Sequence, residues 1–108
     1  MNNTSSRIKK VFLHNLIERI KELSAVEPGK DTDNIWYRHI HSMVGTAGTV
    51  GFSAVSEKLL PWEEKLARYK DSGAQLSDED IKELKTILVY LTDFVRENDD
   101  SVSETEEN

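Results

Sequence analysis

The chain has 108 residues, which is enough for one small domain with a single hydrophobic core. It has no cysteine, which excludes disulfides, zinc–thiolate sites and thiol chemistry and is compatible with the cytoplasm. The net charge is −6, and the segment 99–108 accounts for most of it with five acidic residues and no base. We expect that segment to be a disordered acidic tail. The rest has no basic stripe for nucleic acid, no membrane-spanning apolar run and no secretory signal.

Four segments place apolar residues at the three- and four-residue spacing of an amphipathic helix. The first covers about residues 6–25 and ends before the break at Pro28 and Gly29. The second covers about residues 32–50, with Gly51 at the place of a left-handed residue that ends a helix. Their apolar seams are Leu13, Leu16, Ile17, Ile20 and Leu23, and Trp36, Ile40, Met43, Ala47 and Val50.

The third segment covers about residues 53–69, with Ser53 as a natural N-cap. It contains Pro61, which removes a backbone donor and predicts a kink or a break in the helix. Its seam consists of Phe52, Val55, Leu59, Trp62, Leu66 and Tyr69.

The fourth segment covers about residues 78–98, and Ser77 with Asp80 resembles a capping box at its start. Its seam consists of Ile81, Leu84, Leu88, Leu91 and Val95. Four amphipathic segments with short connections predict an all-α fold, an antiparallel four-helix bundle over residues 1–98. Met1 and the acidic tail favour a complete small protein, and we expect a monomer.

The second predicted helix contains the stretch HSMVGTAGTVGF, residues 41–52. Each glycine inside a helix costs about 1 kcal/mol relative to alanine, so the glycines need a reason. Gly45 and Gly48 follow His41 on its own face, and Tyr37 precedes it by four residues. A partner surface can therefore approach the imidazole closely over bare backbone. The plainer interpretation is tight packing between helices beside an ordinary surface histidine.

This stretch resembles the signature of histidine-containing phosphotransfer (HPt) domains, in which a histidine on a four-helix bundle precedes glycines and small residues. His41, Gly45, Gly48 and Gly51 fall at matching places, and Met43 stands where the family usually has leucine. The resemblance covers all four predicted helices. It implies a phosphorelay intermediate of two-component signal transduction, with His41 as the phosphoacceptor.

The resemblance also implies the partners and the division of labour between them. Such domains exchange a phosphoryl group with the aspartate of response-regulator receiver domains, including that of a hybrid sensor histidine kinase. The receiver supplies Mg²⁺ and most catalytic groups, so the chain is expected to need no cofactor or metal and not to be an enzyme. In similar domains a Gln or Glu on the facing helix hydrogen-bonds the imidazole. Glu63, expected at the rim of the third helix, is the candidate for that role, with an ordinary solvent-exposed glutamate as the alternative.

The sequence departs from the family pattern three residues after the histidine, where Val44 replaces the usual lysine. Arg38, one turn before the histidine, is the best substitute cation, and Lys58 on the facing helix is a weaker one. Both are otherwise ordinary surface charges. Tyr37, Val44 and Phe52 are predicted to form an apolar docking ring, with partial burial against the first or fourth helix as the alternative for Phe52 and for Val44.

Three other functions remain to be weighed against a phosphoryl carrier. A degenerate HPt-like module binds a receiver or a kinase without being phosphorylated, and Val44 is its main support. A generic helical adaptor is the second alternative. An enzyme with its own active site is disfavoured, because the sequence has no glycine-rich phosphate loop. His39 and His41 point about 200° apart on a helix, which argues against a zinc site.

Overall fold

The computed structural model describes residues 3–27 and 31–98, with side chains from Arg7 onward. These residues form four helices and no strand, which confirms the predicted all-α class. None of the four helices is long and apolar enough to cross a membrane. The predicted acidic tail lies outside the described residues. The helices are α1 (Asn3–Ser24), α2 (Thr32–Thr49), α3 (Ser53–Ser72) and α4 (Asp78–Asn98).

The third helix is continuous through Pro61, so the predicted break at this residue is wrong. Pro61 itself is exposed, whereas Leu59 and Leu66 on either side of it are fully buried. Their packing holds the backbone helical although the proline removes one hydrogen bond. The helix also runs three residues beyond the predicted end, to a left-handed Gly73 with φ of 76°.

The turn between α2 and α3 differs from the prediction at one of its two ends. Gly51 has a φ of 99°, which confirms the predicted left-handed residue. The N-cap of α3 is Phe52 rather than Ser53, and no side chain caps the helix. The Phe52 amide instead donates to the carbonyl of Ala47 at 2.8 Å, so the backbone of the turn closes this helix junction.

The core is built mainly from the predicted seams, although some of their members are only partly buried, namely Ile17, Ile20, Val50, Phe52, Trp62, Tyr69 and Ile81. Phe12 is buried although it lies outside the predicted seams, and in α4 one buried position shifts by one residue. Ile87 is buried there, whereas the predicted Leu88 is only half-buried. The buried apolar residues are Phe12, Leu13, Leu16, Leu23, Trp36, Ile40, Met43, Ala47, Val55, Leu59, Leu66, Leu84, Ile87, Leu91 and Val95. Because all four helices contribute to this cluster, α2 rests on a packed interior along its length.

Two contacts fix how α2 lies against α3. The Ser56 hydroxyl donates to the Val44 carbonyl at 2.7 Å, and Glu63 hydrogen-bonds His41. Val44, which follows His41 on α2, thus pairs with Ser56, which precedes Glu63 on α3. This register places the middle of α3 beside the histidine.

A buried carboxylate joins the start of α4 to α3. Asp80 is 5% exposed, accepts from the Lys65 ammonium at 2.7 Å and also accepts from the Tyr69 hydroxyl. Burial opposes its ionisation, but these hydrogen bonds outweigh burial and hold the pKa of the Asp80 carboxyl below its ordinary value. The Asp80 amide donates to the Ser77 hydroxyl at 3.1 Å, which is the forward half of the predicted capping box.

Asp80→Asn is expected to lower the free energy of unfolding by about 2 kcal/mol near neutral pH, because a buried charged acceptor is lost. A carboxylate whose pKa is lower in the folded than in the unfolded state contributes its full stabilisation above the unfolded pKa of about 3.9. That contribution to the free energy of unfolding is lost as the pH falls through the folded pKa. The difference from the wild type should therefore shrink below about pH 4. Urea unfolding across this pH range measures it.

Asp93→Asn is the matched control, since Asp93 lies on the same helix in an exposed pair with Arg96. Its removal should change the free energy of unfolding by less than about 0.5 kcal/mol. Equal losses in the two variants would contradict the role assigned to Asp80.

Candidate functional site

The imidazole of His41 projects from the middle of α2 and is hydrogen-bonded to α3. Its side chain is 64% exposed, and its Nδ1 contacts the carboxylate of Glu63, which is 18% exposed. An ionised carboxylate can only accept hydrogen bonds, so Nδ1 carries the proton in this pair. In the neutral ring the lone pair is then on Nε2, which is the nitrogen able to act as a nucleophile.

The face of the same imidazole is held by Tyr37, one helical turn earlier. The two rings stack with centroids 5.6 Å apart and an interplanar angle of 17°. Tyr37 is half-buried against the core, so it presents a fixed surface to the imidazole. One contact at the edge of the ring and one on its face together restrict how His41 can rotate.

Gly45, Gly48 and Gly51, which follow His41 in the stretch 41–52, differ in what their surroundings allow. A Cβ added at Gly45 would meet no other part of the described chain within 4 Å, and one at Gly48 would lie 3.4 Å from the Ser56 hydroxyl. Of the glycines in the stretch 41–52, Gly51 alone has a backbone conformation that favours glycine. Internal packing therefore does not demand the glycine at position 45, where the helix surface stays open beside the imidazole.

His39, two residues earlier, is held in the opposite way. Its side chain is only 15% exposed, and Arg19 of α1 donates to its Nδ1 at 3.0 Å. Arginine can only donate, so Nδ1 is an acceptor, and Nε2 lies 3.3 Å from a Glu22 oxygen. Burial and the charge of Arg19 lower the pKa of His39. Both ring nitrogens are thus engaged, and His39 joins α1 to α2 rather than offering a nucleophile.

The predicted substitute cations are placed very differently. Arg38 is exposed one turn before His41 and makes no hydrogen bond or ion pair with any residue that the structure describes. Lys58 lies over the ring of Tyr90 on α4, with Nζ 5.4 Å from the centroid, so it is directed away from the histidine. Val44 is apolar and partly buried against the core, so this position carries no charge.

The predicted apolar docking ring is only partly assembled. Tyr37 contacts His41, and Val44 lies one turn after it on α2. Phe52 does not belong to this group, because its ring packs against Phe12 at 5.5 Å and Phe94 at 5.0 Å. The correction has a simple cause: three aromatic rings from three elements meet at this end of the core and hold Phe52 there.

Two residues near the site were missed by the sequence reasoning. Leu60 is 43% exposed and lies one turn before Glu63. It could have been found in the sequence as an apolar residue outside the seam of α3. Lys70 lies over the ring of Tyr37, with Nζ 5.0 Å from the centroid. It was overlooked because the predicted helix ended at residue 69.

Two other kinds of site have less support in the described part of the chain. This part contains no group of three or more His, Asp or Glu side chains arranged to hold a metal. A groove of about 340 Å³ lies between α1 and α2, but it is lined mainly by apolar residues and does not include His41. The exposed imidazole with its two contacts is the arrangement with the clearest chemistry.

Comparisons with known proteins assign no family to this geometry. No protein-family model, curated protein or solved structure matches the chain. What the chain does has therefore to be inferred from the residues around His41.

Gly45→Ala is expected to raise the free energy of unfolding by up to about 1 kcal/mol, because alanine favours a helix and its Cβ meets open space. Gly51→Ala should lower it by about 1–2 kcal/mol, since φ at that position is strained for any residue with a Cβ. Urea unfolding measures both. A Gly45→Ala variant that is less stable than the wild type would mean that packing within the fold requires this glycine.

Proposed function

We propose that this chain is a phosphoryl carrier of the HPt type. His41 accepts a phosphoryl group from the aspartate of a receiver domain and passes it to another receiver. The observation that carries the proposal is the exposed imidazole, whose Nδ1 is hydrogen-bonded to Glu63 and whose Nε2 has no partner among the described residues, beside open backbone at Gly45. Each of these features serves an attack on a group presented from outside the molecule.

The four helices are proposed to form the antiparallel bundle typical of HPt domains. The pairing of Val44 with Ser56 and of His41 with Glu63 supports opposite directions for α2 and α3. A turn of three residues between these helices also favours an antiparallel hairpin. In such a bundle the histidine lies on a rigid flank that a receiver can reach.

The proposed transfer is a single displacement at phosphorus. The Nε2 lone pair forms the new N–P bond while the O–P bond to the receiver's aspartate breaks, and the carboxylate leaves with the electron pair. Nδ1 keeps its proton, so the imidazole becomes positively charged. The Glu63 carboxylate offsets that charge and keeps the ring oriented. In the second step the same displacement runs in the opposite direction, and the phosphoryl group passes from Nε2 to the aspartate of a second receiver.

The chain supplies only part of what this reaction needs. A loose phosphoryl-transfer transition state depends mainly on positioning and on charge neutralisation. The restrained ring of His41 meets the first need, and Mg²⁺ held by the receiver is proposed to meet most of the second. The chain is therefore a carrier rather than an enzyme, with receiver domains and a hybrid sensor histidine kinase as its partners.

The proposal is tested by phosphorylation with labelled phosphoramidate, a small donor that needs no partner, and with a panel of labelled receiver domains. Acid-labile label is expected on the wild type and should be lost in His41→Gln. His14→Gln is the matched control, since His14 is also exposed but has no place in the site. The proposal fails if neither donor labels the wild type, or if His41→Gln is labelled equally well.

Replacement of Glu63 tests the orienting bond. Glu63→Ala is expected to slow phosphoryl transfer about 10- to 100-fold, because a hydrogen bond to a charged group contributes about 1.5–3 kcal/mol. Glu63→Gln should lose less, since its carbonyl can still accept from Nδ1. Rapid-quench measurements of label transfer give these rates. Glu64→Ala removes the exposed neighbour and should have no effect; equal rates in the two alanine variants would refute the role of Glu63.

A binding module that is never phosphorylated is the second candidate. It is favoured by Val44, which leaves the site without the lysine that the family usually has. Receiver binding that survives His41→Ala, with no phosphohistidine detected from either donor, would select this function over the carrier.

A further inference from the structure

A phosphoryl group on His41 would bring about two negative charges to a surface where Val44 has replaced the usual lysine. Phosphoryl transfer depends on charge neutralisation, and a cation from elsewhere in the chain could supply the part that the receiver's Mg²⁺ does not. The inference that follows rests on the proposed function and concerns which residue supplies this charge.

Three cations that the structure describes near α2 and α3 are engaged elsewhere, whereas Arg38 has no hydrogen bond or ion pair with a described residue and no ring contact that ties it to the imidazole. Arg19 is bound to His39 and Ser42, and Lys65 is bound to Asp80. Lys58 lies over Tyr90, on the side of α3 that faces α4. These contacts keep three positive charges away from the imidazole.

Lys70 is different, because it is connected to the site through one aromatic ring. Its Nζ lies 5.0 Å from the centroid of the Tyr37 ring, and that ring stacks on the imidazole at 5.6 Å. The ammonium is therefore at most about 11 Å from the imidazole centroid. This distance is well within the Debye length of about 30 Å at 0.01 M ionic strength and somewhat beyond the length of about 8 Å at physiological ionic strength. Its four-carbon stem lets it approach further once a negative group is present.

We propose that Lys70 and Tyr37 together replace the missing lysine of the site. Tyr37 holds the face of the imidazole and also seats the ammonium by a cation–π contact. Lys70 then offsets the charge of the phosphoryl group on Nε2. Both act as positioning residues: neither forms a bond to phosphorus.

The proposal is tested on the full chain loaded with phosphoramidate. The ³¹P resonance of the phosphohistidine is followed as a function of pH, because a nearby cation moves the ionisation of the phosphoryl group to lower pH. Wild type is compared with Lys70→Gln, Lys70→Arg, Tyr37→Leu, Arg38→Gln and Lys58→Gln. Circular dichroism melts of each variant report whether the fold is intact.

Lys70→Gln is expected to raise the midpoint of the ³¹P titration by about 0.3 pH unit at low salt, from Coulomb's law at about 10 Å in water. Lys70→Arg should restore the wild-type midpoint, and Tyr37→Leu should move it in the same direction as Lys70→Gln. The difference should shrink at about 1 M salt, which a purely structural effect would not do. Lys58→Gln, on the same helix, should leave the midpoint unchanged.

Two results overturn the proposal, and they are distinguishable from each other. If the wild type is labelled but the ³¹P midpoint of Lys70→Gln equals that of Lys58→Gln, Lys70 has no role. A shifted midpoint in Arg38→Gln alone would instead assign the compensating charge to Arg38. If the wild type takes no label at position 41, the carrier function itself is wrong and this inference falls with it.

Discussion

The hydrogen bond between His41 Nδ1 and the Glu63 carboxylate connects α2 to α3 at the centre of the site. It orients the imidazole and, because a carboxylate only accepts, it places the proton on Nδ1. It can form only because the paired register of the two helices brings the middle of α3 beside the middle of α2. The packed core beneath α2 makes that register rigid.

The two neighbouring histidines show how the same side chain is given different chemistry. His39 is half-buried, accepts from Arg19 on one nitrogen and lies against Glu22 with the other. His41 is exposed, and among the residues that the structure describes only its Nδ1 has a hydrogen-bond partner. Gly45 leaves the surface beside it open without being required by the internal packing. Spacing on the helix alone decides which of the two histidines faces α1 and which faces α3.

The sequence predicted the four helices and the exposed histidine because both depend on local periodicity. The bond to Glu63 followed only from a resemblance, since the proline in α3 obscured its helical phase. Pro61 does not break α3, because packing on both sides of it holds the backbone helical despite one lost hydrogen bond. Phe52 and Lys70 depend on contacts between distant segments, Phe52 with two other rings and Lys70 with Tyr37. Such contacts leave no pattern within one helix.

The central claim is that Glu63 holds neutral His41 with the proton on Nδ1 and leaves Nε2 free. Long-range ¹H–¹⁵N correlation spectra of the imidazole, recorded at alkaline pH, distinguish the two neutral tautomers directly. The account predicts the Nδ1–H form for His41 in the wild type and its loss in Glu63→Ala. A spectrum showing the Nε2–H form, unchanged by the removal of Glu63, would contradict it.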